Sequence, residues 1–113
     1  MTTVKLSKNL QNPRGVYSIP VTPFHENGKL DLDSLRKCIE FCLEKGAHGI
    51  VMPVNASEVS TLTDEERTQV IKEGVKSVNG SVHFVAGVTG NSIEQVQESV
   101  KIVEDLGVDS IIT

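Results

Sequence analysis

Residues 49–59 read GIVMPVNASEV. The apolar run from Gly49 to Val54 suits a buried strand, and it breaks directly into the polar cluster Asn55-Ala56-Ser57-Glu58. Helical patterns flank it on both sides, DLDSLRKCIEFCLEKG before (31–46) and TLTDEERTQVIKEGVKSVNG after (61–80). Short β-rich runs alternating with longer helical periods predict a parallel sheet covered by helices. In such a sheet, a polar cluster just past a strand lies on the side where ligands bind.

Working outward, GVYSIPVTPF (15–24) is the first strand candidate, and HENGK after it is a turn signal. In the first helix, Leu32, Leu35, Ile39, Cys42 and Leu43 recur at spacings of three and four, and Gly46 is placed to cap its C-terminal end. The second helix starts near Thr63, which forms a capping box with Glu66, and stops near Asn79-Gly80; Val70, Ile71, Gly74, Val75 and Val78 form its buried stripe. VHFVAGV (82–88) is the third strand. Ser92 with Gln95 caps a third helix carrying Ile93, Val96, Val100, Val103 and Leu106, which ends at Gly107. VDSIIT (108–113) begins a fourth strand, with no helix after it to cover its face, so the expectation is an incomplete sheet. A weak repeat relates Gly46–Val51 to Gly107–Ile112, each entering a strand from a helix. Pro20 and Pro53 remove ladder donors and are expected at strand ends or bends.

The chain has 113 residues, 38% of them hydrophobic and 23% charged, with a formal net charge of -4 and a pI near 5.3. That is enough for one domain, with few aromatics for its core. The lysines are scattered and form no basic stripe, so nucleic acid is not an expected partner. No apolar run approaches the roughly 20 residues needed to cross a bilayer, and the first residues do not read as a secretory signal. Cys38 and Cys42 lie four apart in one helical pattern and read as core packing, which makes a reducing cytoplasm the expected compartment. The organisation expected is an N-terminal arm over residues 1–14 followed by one incomplete domain over 15–113.

Three loops follow strands: Thr22-Pro23-Phe24, Asn55-Ala56-Ser57-Glu58 and Gly87-Val88-Thr89-Gly90-Asn91. All are rich in small or hydrogen-bonding residues, which lets backbone N–H groups approach an anion. Plainer readings compete. His25, His48 and His83 fall on a turn and at two strand starts, Asp64-Glu65-Glu66 suits a helix N-terminus, and the GVTGN loop reads as a strand-to-helix turn capped by Ser92.

The order and spacing of IPVTPFHENGKLDLDSL, GIVMPVNASEVSTLTDEER, VAGVTGNSIEQV and GVDSIIT resemble the dihydrodipicolinate synthase and N-acetylneuraminate lyase family. The likeness runs from Gly15 onward and covers the first third or so of a typical member. It implies the N-terminal part of a (β/α)8 TIM barrel, with three βα units and a fourth parallel strand. It also implies a pyruvate-dependent aldolase acting through a lysine Schiff base, with a keto acid and an aldehyde as reactants and no metal or organic cofactor. Full-length members imply a homo-oligomer, dimer or tetramer. By the resemblance, Asn55, Ala56 and Ser57 line the keto-acid pocket, Glu58 braces the turn and Thr22 helps hold the first loop. The family usually reads Gly-Thr/Ser-Thr-Gly-Glu where this chain has Val54-Asn55-Ala56-Ser57-Glu58, so only the Glu is retained. An Asn amide can donate to a carboxylate but cannot relay a proton as a hydroxyl does, and Ser57 offers a hydroxyl one position later. The family's Schiff-base lysine lies beyond the stretch matched here. The lysines of this chain fall in the first residues, a turn or helical patterns. The chain alone is therefore expected to form no covalent intermediate, and a truncated or divergent member that binds a keto or sugar acid without turnover is the alternative.

Overall fold

The computed structural model describes residues 14–113, so all but the last residue of the expected arm, with Lys5 and Lys8, lies outside the described residues. Four strands, β1 (Tyr17–Ser18), β2 (Gly49–Met52), β3 (His83–Gly87) and β4 (Ser110–Ile112), pair in sequential order, and every pairing is parallel. Three helices connect them: α1 (Leu32–Glu44), α2 (Asp64–Val78) and α3 (Ile93–Glu104). This is the βα alternation that the sequence predicts, because parallel neighbours need a long crossover and a helix is the compact one.

Local chemistry sets the helix ends. Thr63 Oγ1 accepts from the Glu66 backbone N–H at 3.1 Å, and Glu66 Oε1 accepts from the Thr63 N–H at 2.9 Å, so both halves of the capping box are made. Asn79 ends α2 in the left-handed region at φ 49°, where a short polar side chain is tolerated. Asp31 caps α1, and its carboxylate accepts from both the N–H and the hydroxyl of Ser34. Ser92 caps α3 by accepting from the Gln95 N–H.

Alternation along the strands separates two faces. Ile50 and Met52 stand beside Phe84 and Ala86 in register, and all four are buried against α1 and α2 with Leu35, Ile39, Val70, Ile71 and Val78. Gly74 makes this possible: a Cβ there would overlap the Phe84 ring and lie 3.3 Å from the Met52 sulfur. A glycine inside a helix costs about 1 kcal/mol relative to Ala, while burying a ring such as Phe84 returns roughly 1.5–3 kcal/mol. The opposite face carries Tyr17, Gly49 and His83 in one row. Tyr17 lies over Gly49, where a Cβ would meet its ring, and its hydroxyl is 2.7 Å from His83 Nδ1.

The first strand is shorter than the stretch 15–24 predicts. Its ladder contains only Tyr17 and Ser18, because Pro20 has no N–H to give. Farther on, Phe24 and Leu30 form an isolated antiparallel bridge that closes the expected turn, with the His25 N–H donating to the Lys29 carbonyl at 2.8 Å. Pro53 directly follows the last residue of β2.

Candidate functional site

The loops after β1, β2 and β3 gather at one end of the sheet. After Pro53, Val54 is extended and residues Asn55–Ser57 form a single 3-10 turn. Glu58 then takes a left-handed conformation at φ 60° and joins it to a second 3-10 turn, Val59–Thr61. The Ser57 and Val59 N–H groups both donate to the Val54 carbonyl, and the Glu58 N–H donates to Asn55. Val59 and Leu62 are buried, and Arg67 Nε donates to the Val59 carbonyl at 3.3 Å, so the segment is tied to α2.

The five residues expected at the site divide into two groups. Asn55, Ala56 and Glu58 are exposed. Ser57 is completely buried, and its hydroxyl donates to the Pro20 carbonyl at 2.7 Å. Thr22 is also buried, and its hydroxyl donates to the Ser57 carbonyl at 2.6 Å. Thr22 thus holds the loop after β1 against the loop after β2. The Ser57 hydroxyl points into the framework, away from the exposed end. Glu58 contributes through its backbone: its carbonyl accepts from both the N–H and the hydroxyl of Thr61. The N–H groups of Asn55 and Ala56 donate to no partner among the described residues, which leaves two adjacent donors at the start of a turn.

The third loop is a capped turn. The Asn91 N–H donates to Gln95 Oε1 at 2.7 Å, alongside the Ser92 cap. Behind it, a crevice of about 340 Å³ opens between α2 and α3, lined by Arg67, Gly87, Asn91, Gln95 and Glu98 among others. Residues 55–58 do not line it, so it is separate from the strand-end cluster.

The other marked residues are structural. Cys38 and Cys42 are partly buried on α1, and both thiols are free. His48 Nδ1 accepts from the Val16 N–H at 3.0 Å, which pins the chain entering β1. His25 lies 3.6 Å from the Asp31 carboxylate on the surface. The Ser34 hydroxyl, its backbone N–H and weaker attraction to His25 hold the Asp31 carboxyl below its ordinary value. Two features were not foreseen: the pairing of Tyr17 with His83, and the use of Pro20 as an acceptor for Ser57. A histidine heading the otherwise apolar run Phe84–Val88 is the one signal in the sequence that bears on the first.

The lysines in the described residues, Lys29, Lys37, Lys45, Lys72, Lys76 and Lys101, are all exposed, and none lies on a strand.

The dihydrodipicolinate synthetase family model matches residues 12–113. The chain belongs to that family. It is 39% identical over 99 residues to a 4-hydroxy-tetrahydrodipicolinate synthase of Methanococcus maripaludis, covering 88% of this chain and 34% of that one. It superposes on the chloride-inhibited dihydrodipicolinate synthase of Acinetobacter baumannii, solved in complex with pyruvate, with a TM-score of 0.83 at 38% identity, covering 86% of this chain and 33% of that one. A monomeric dihydrodipicolinate synthase variant superposes with a TM-score of 0.85 at 30% identity, over 91% and 34% of the two chains. The chain thus spans about a third of the length of the relatives it matches. Its four-stranded parallel sheet is the N-terminal part of a TIM barrel. Among the described residues, no helix is long and apolar enough to cross a membrane.

Proposed function

We propose that residues 15–113, preceded by an arm over 1–14, belong to a cytoplasmic pyruvate-dependent aldolase-type lyase or synthase. In the whole protein, a carbon–carbon bond is made or broken through a Schiff base on a lysine outside this stretch. Its reactants are a pyruvate-like keto acid and an aldehyde, and it works as a homo-oligomer. One observation carries the reading: the N–H groups of Asn55 and Ala56, without a partner among the described residues, sit together past the end of β2 on a turn tied to the neighbouring loop. Two oriented N–H donors suit a carboxylate, and the exposed Asn55 amide adds a third donor beside them. Ser57 and Glu58 shape the turn, and Thr22 anchors it.

The test is borohydride reduction with pyruvate, followed by intact mass, on a polypeptide that carries this chain and the remaining length of its relatives. A mass gain of one reduced pyruvate adduct is expected, and no gain rejects the aldolase reading. A second reading is favoured by Asn55 and Ala56 standing where the family has hydroxyl residues: a keto or sugar acid is bound without turnover. Uptake of solvent deuterium into the pyruvate methyl group separates the two. Uptake supports turnover, and a trapped adduct without uptake supports the binder.

A further inference from the structure

We infer that Ser57 and Thr22 are positioning residues that form a two-bond hydroxyl clasp, replacing the β ladder where it fails and setting the aim of the Asn55 and Ala56 N–H groups. The inference deepens the keto-acid reading and rests on it for the identity of the ligand, while the clasp itself stands on geometry alone.

The β1–β2 ladder ends at the pair Ser18 and Ile50. Beyond it, both strands reach proline, Pro20 on one side and Pro53 on the other, and neither can donate a backbone hydrogen bond. Two parallel segments without ladder bonds would splay apart at the end where a ligand-binding turn must be held still. Side-chain hydroxyls take over the missing bonds. Ser57 Oγ donates to the Pro20 carbonyl at 2.7 Å, and Thr22 Oγ1 donates to the Ser57 carbonyl at 2.6 Å. The bonds run in opposite directions between the same two segments. A single bond would leave the 3-10 turn free to swing about it, whereas two oppositely directed bonds at either end of Ser57 stop both sliding and rotation. Ser57 is fully buried and Thr22 is 4% exposed, so water cannot substitute for a lost partner and each deletion orphans a polar group.

The consequence reaches the exposed residues of the turn. N–H groups at the start of a helical turn point back along its axis, so the orientation of the Asn55 and Ala56 donors follows that of the turn. Because its hydroxyl is committed to Pro20, Ser57 acts through the backbone of its neighbours and touches no ligand. Side-chain recognition at the turn falls to Asn55.

The experiment is amide hydrogen exchange by 1H–15N NMR on the polypeptide that carries this chain and the remaining length of its relatives, with and without pyruvate, comparing wild type, Ser57→Ala, Thr22→Val, Thr22→Ser and Asn55→Ala. Loss of one buried bond is expected to accelerate exchange at Ser57, Glu58 and Val59 about tenfold in Ser57→Ala and Thr22→Val. The amides at the C-terminal end of α3 exchange by local fraying that leaves the clasp intact, and they are expected to stay unchanged. Thr22→Ser keeps the hydroxyl and should restore protection. Pyruvate-induced shifts of the Asn55 and Ala56 amides should need about tenfold more ligand in Ser57→Ala and Thr22→Val. Asn55→Ala should weaken binding with no change in exchange. Unchanged protection at 57–59 in both deletion variants overturns the clasp, and so does equal acceleration at the end of α3. If wild type shows no pyruvate-induced shift, the keto-acid reading fails, while the exchange rates still decide the clasp.

Discussion

Replacing Gly87 with alanine tests how closely the end of β3 approaches the loop that follows β2. Gly87 is buried, and its register partner on the other side is Ile112. A Cβ built there would overlap the Pro53 carbonyl oxygen, lie 2.9 Å from the Pro53 carbonyl carbon and come within 3.0 Å of Val54 Cγ1. The opposing atoms are mainly backbone, so no rotamer change relieves the overlap and one strand end must move. Overpacking of this kind costs about 1–3 kcal/mol, and a backbone obstacle places it toward the top of that range. Alanine also stiffens the unfolded chain, which offsets about 0.4–1 kcal/mol. The net expectation is a loss of about 2 kcal/mol, or a fall in Tm on the order of 10 °C for a domain of this size. Denaturant unfolding followed by circular dichroism measures it, with Gly80→Ala as the control. Gly80 has φ 74° and nothing within 4 Å of its Cβ position, so alanine there should cost only the left-handed backbone penalty, about 1 kcal/mol. Because Pro53 leads directly into Val54 and Asn55, the Asn55 and Ala56 amide shifts should also move in Gly87→Ala and stay put in the control. A Gly87→Ala chain as stable as wild type would refute the close approach.

Other outcomes follow from local geometry. Thr63→Ala removes the acceptor for the Glu66 N–H at the start of α2 and should cost about 1 kcal/mol in denaturant unfolding. Tyr17→Phe removes the partner of His83 Nδ1, and His83 Nε2 is buried without a partner among the described residues; a loss of about 1–3 kcal/mol by the same assay is expected. Phe84→Ala empties the space over Gly74 and should cost about 3–5 kcal/mol, seen as loss of a cooperative transition at ordinary temperature. The Asp31 carboxyl is held below its ordinary value, so its contribution is fully present above the unfolded-state pKa and is lost as pH falls through the lower folded-state value. Acid unfolding of Asp31→Asn should lack that part of the pH dependence, which a circular-dichroism titration of helix content would read.

The helices were legible because their signals are close in the chain. Thr63 and Glu66 are three residues apart, and the apolar stripe of α2 repeats within a turn or two, so pattern and structure agree to about a residue. Asn79 and Ser92 mark ends for the same reason. The first strand is shorter than its composition suggests. Its composition from Gly15 to Phe24 suits a strand, but pairing depends on what β2 offers opposite, and the ladder stops at Ser18. The candidate site was legible as a place and only partly as an arrangement. The break at Asn55 marks the strand end, yet nothing near Ser57 in the sequence says that its hydroxyl turns inward to a proline carbonyl 37 positions earlier.

Periodicity, caps and motif order in the sequence were sufficient for the parallel βα layout, the family and the location of the polar turn, because each is carried by neighbours along the chain. Tertiary structure alone decided which hydroxyls are spent on the framework, which N–H groups find no partner among the described residues, and how Tyr17 meets His83 across 66 residues. Those outcomes depend on which donors and acceptors meet when distant segments pack. Burial then makes each unmet group costly, and that selection acts in three dimensions.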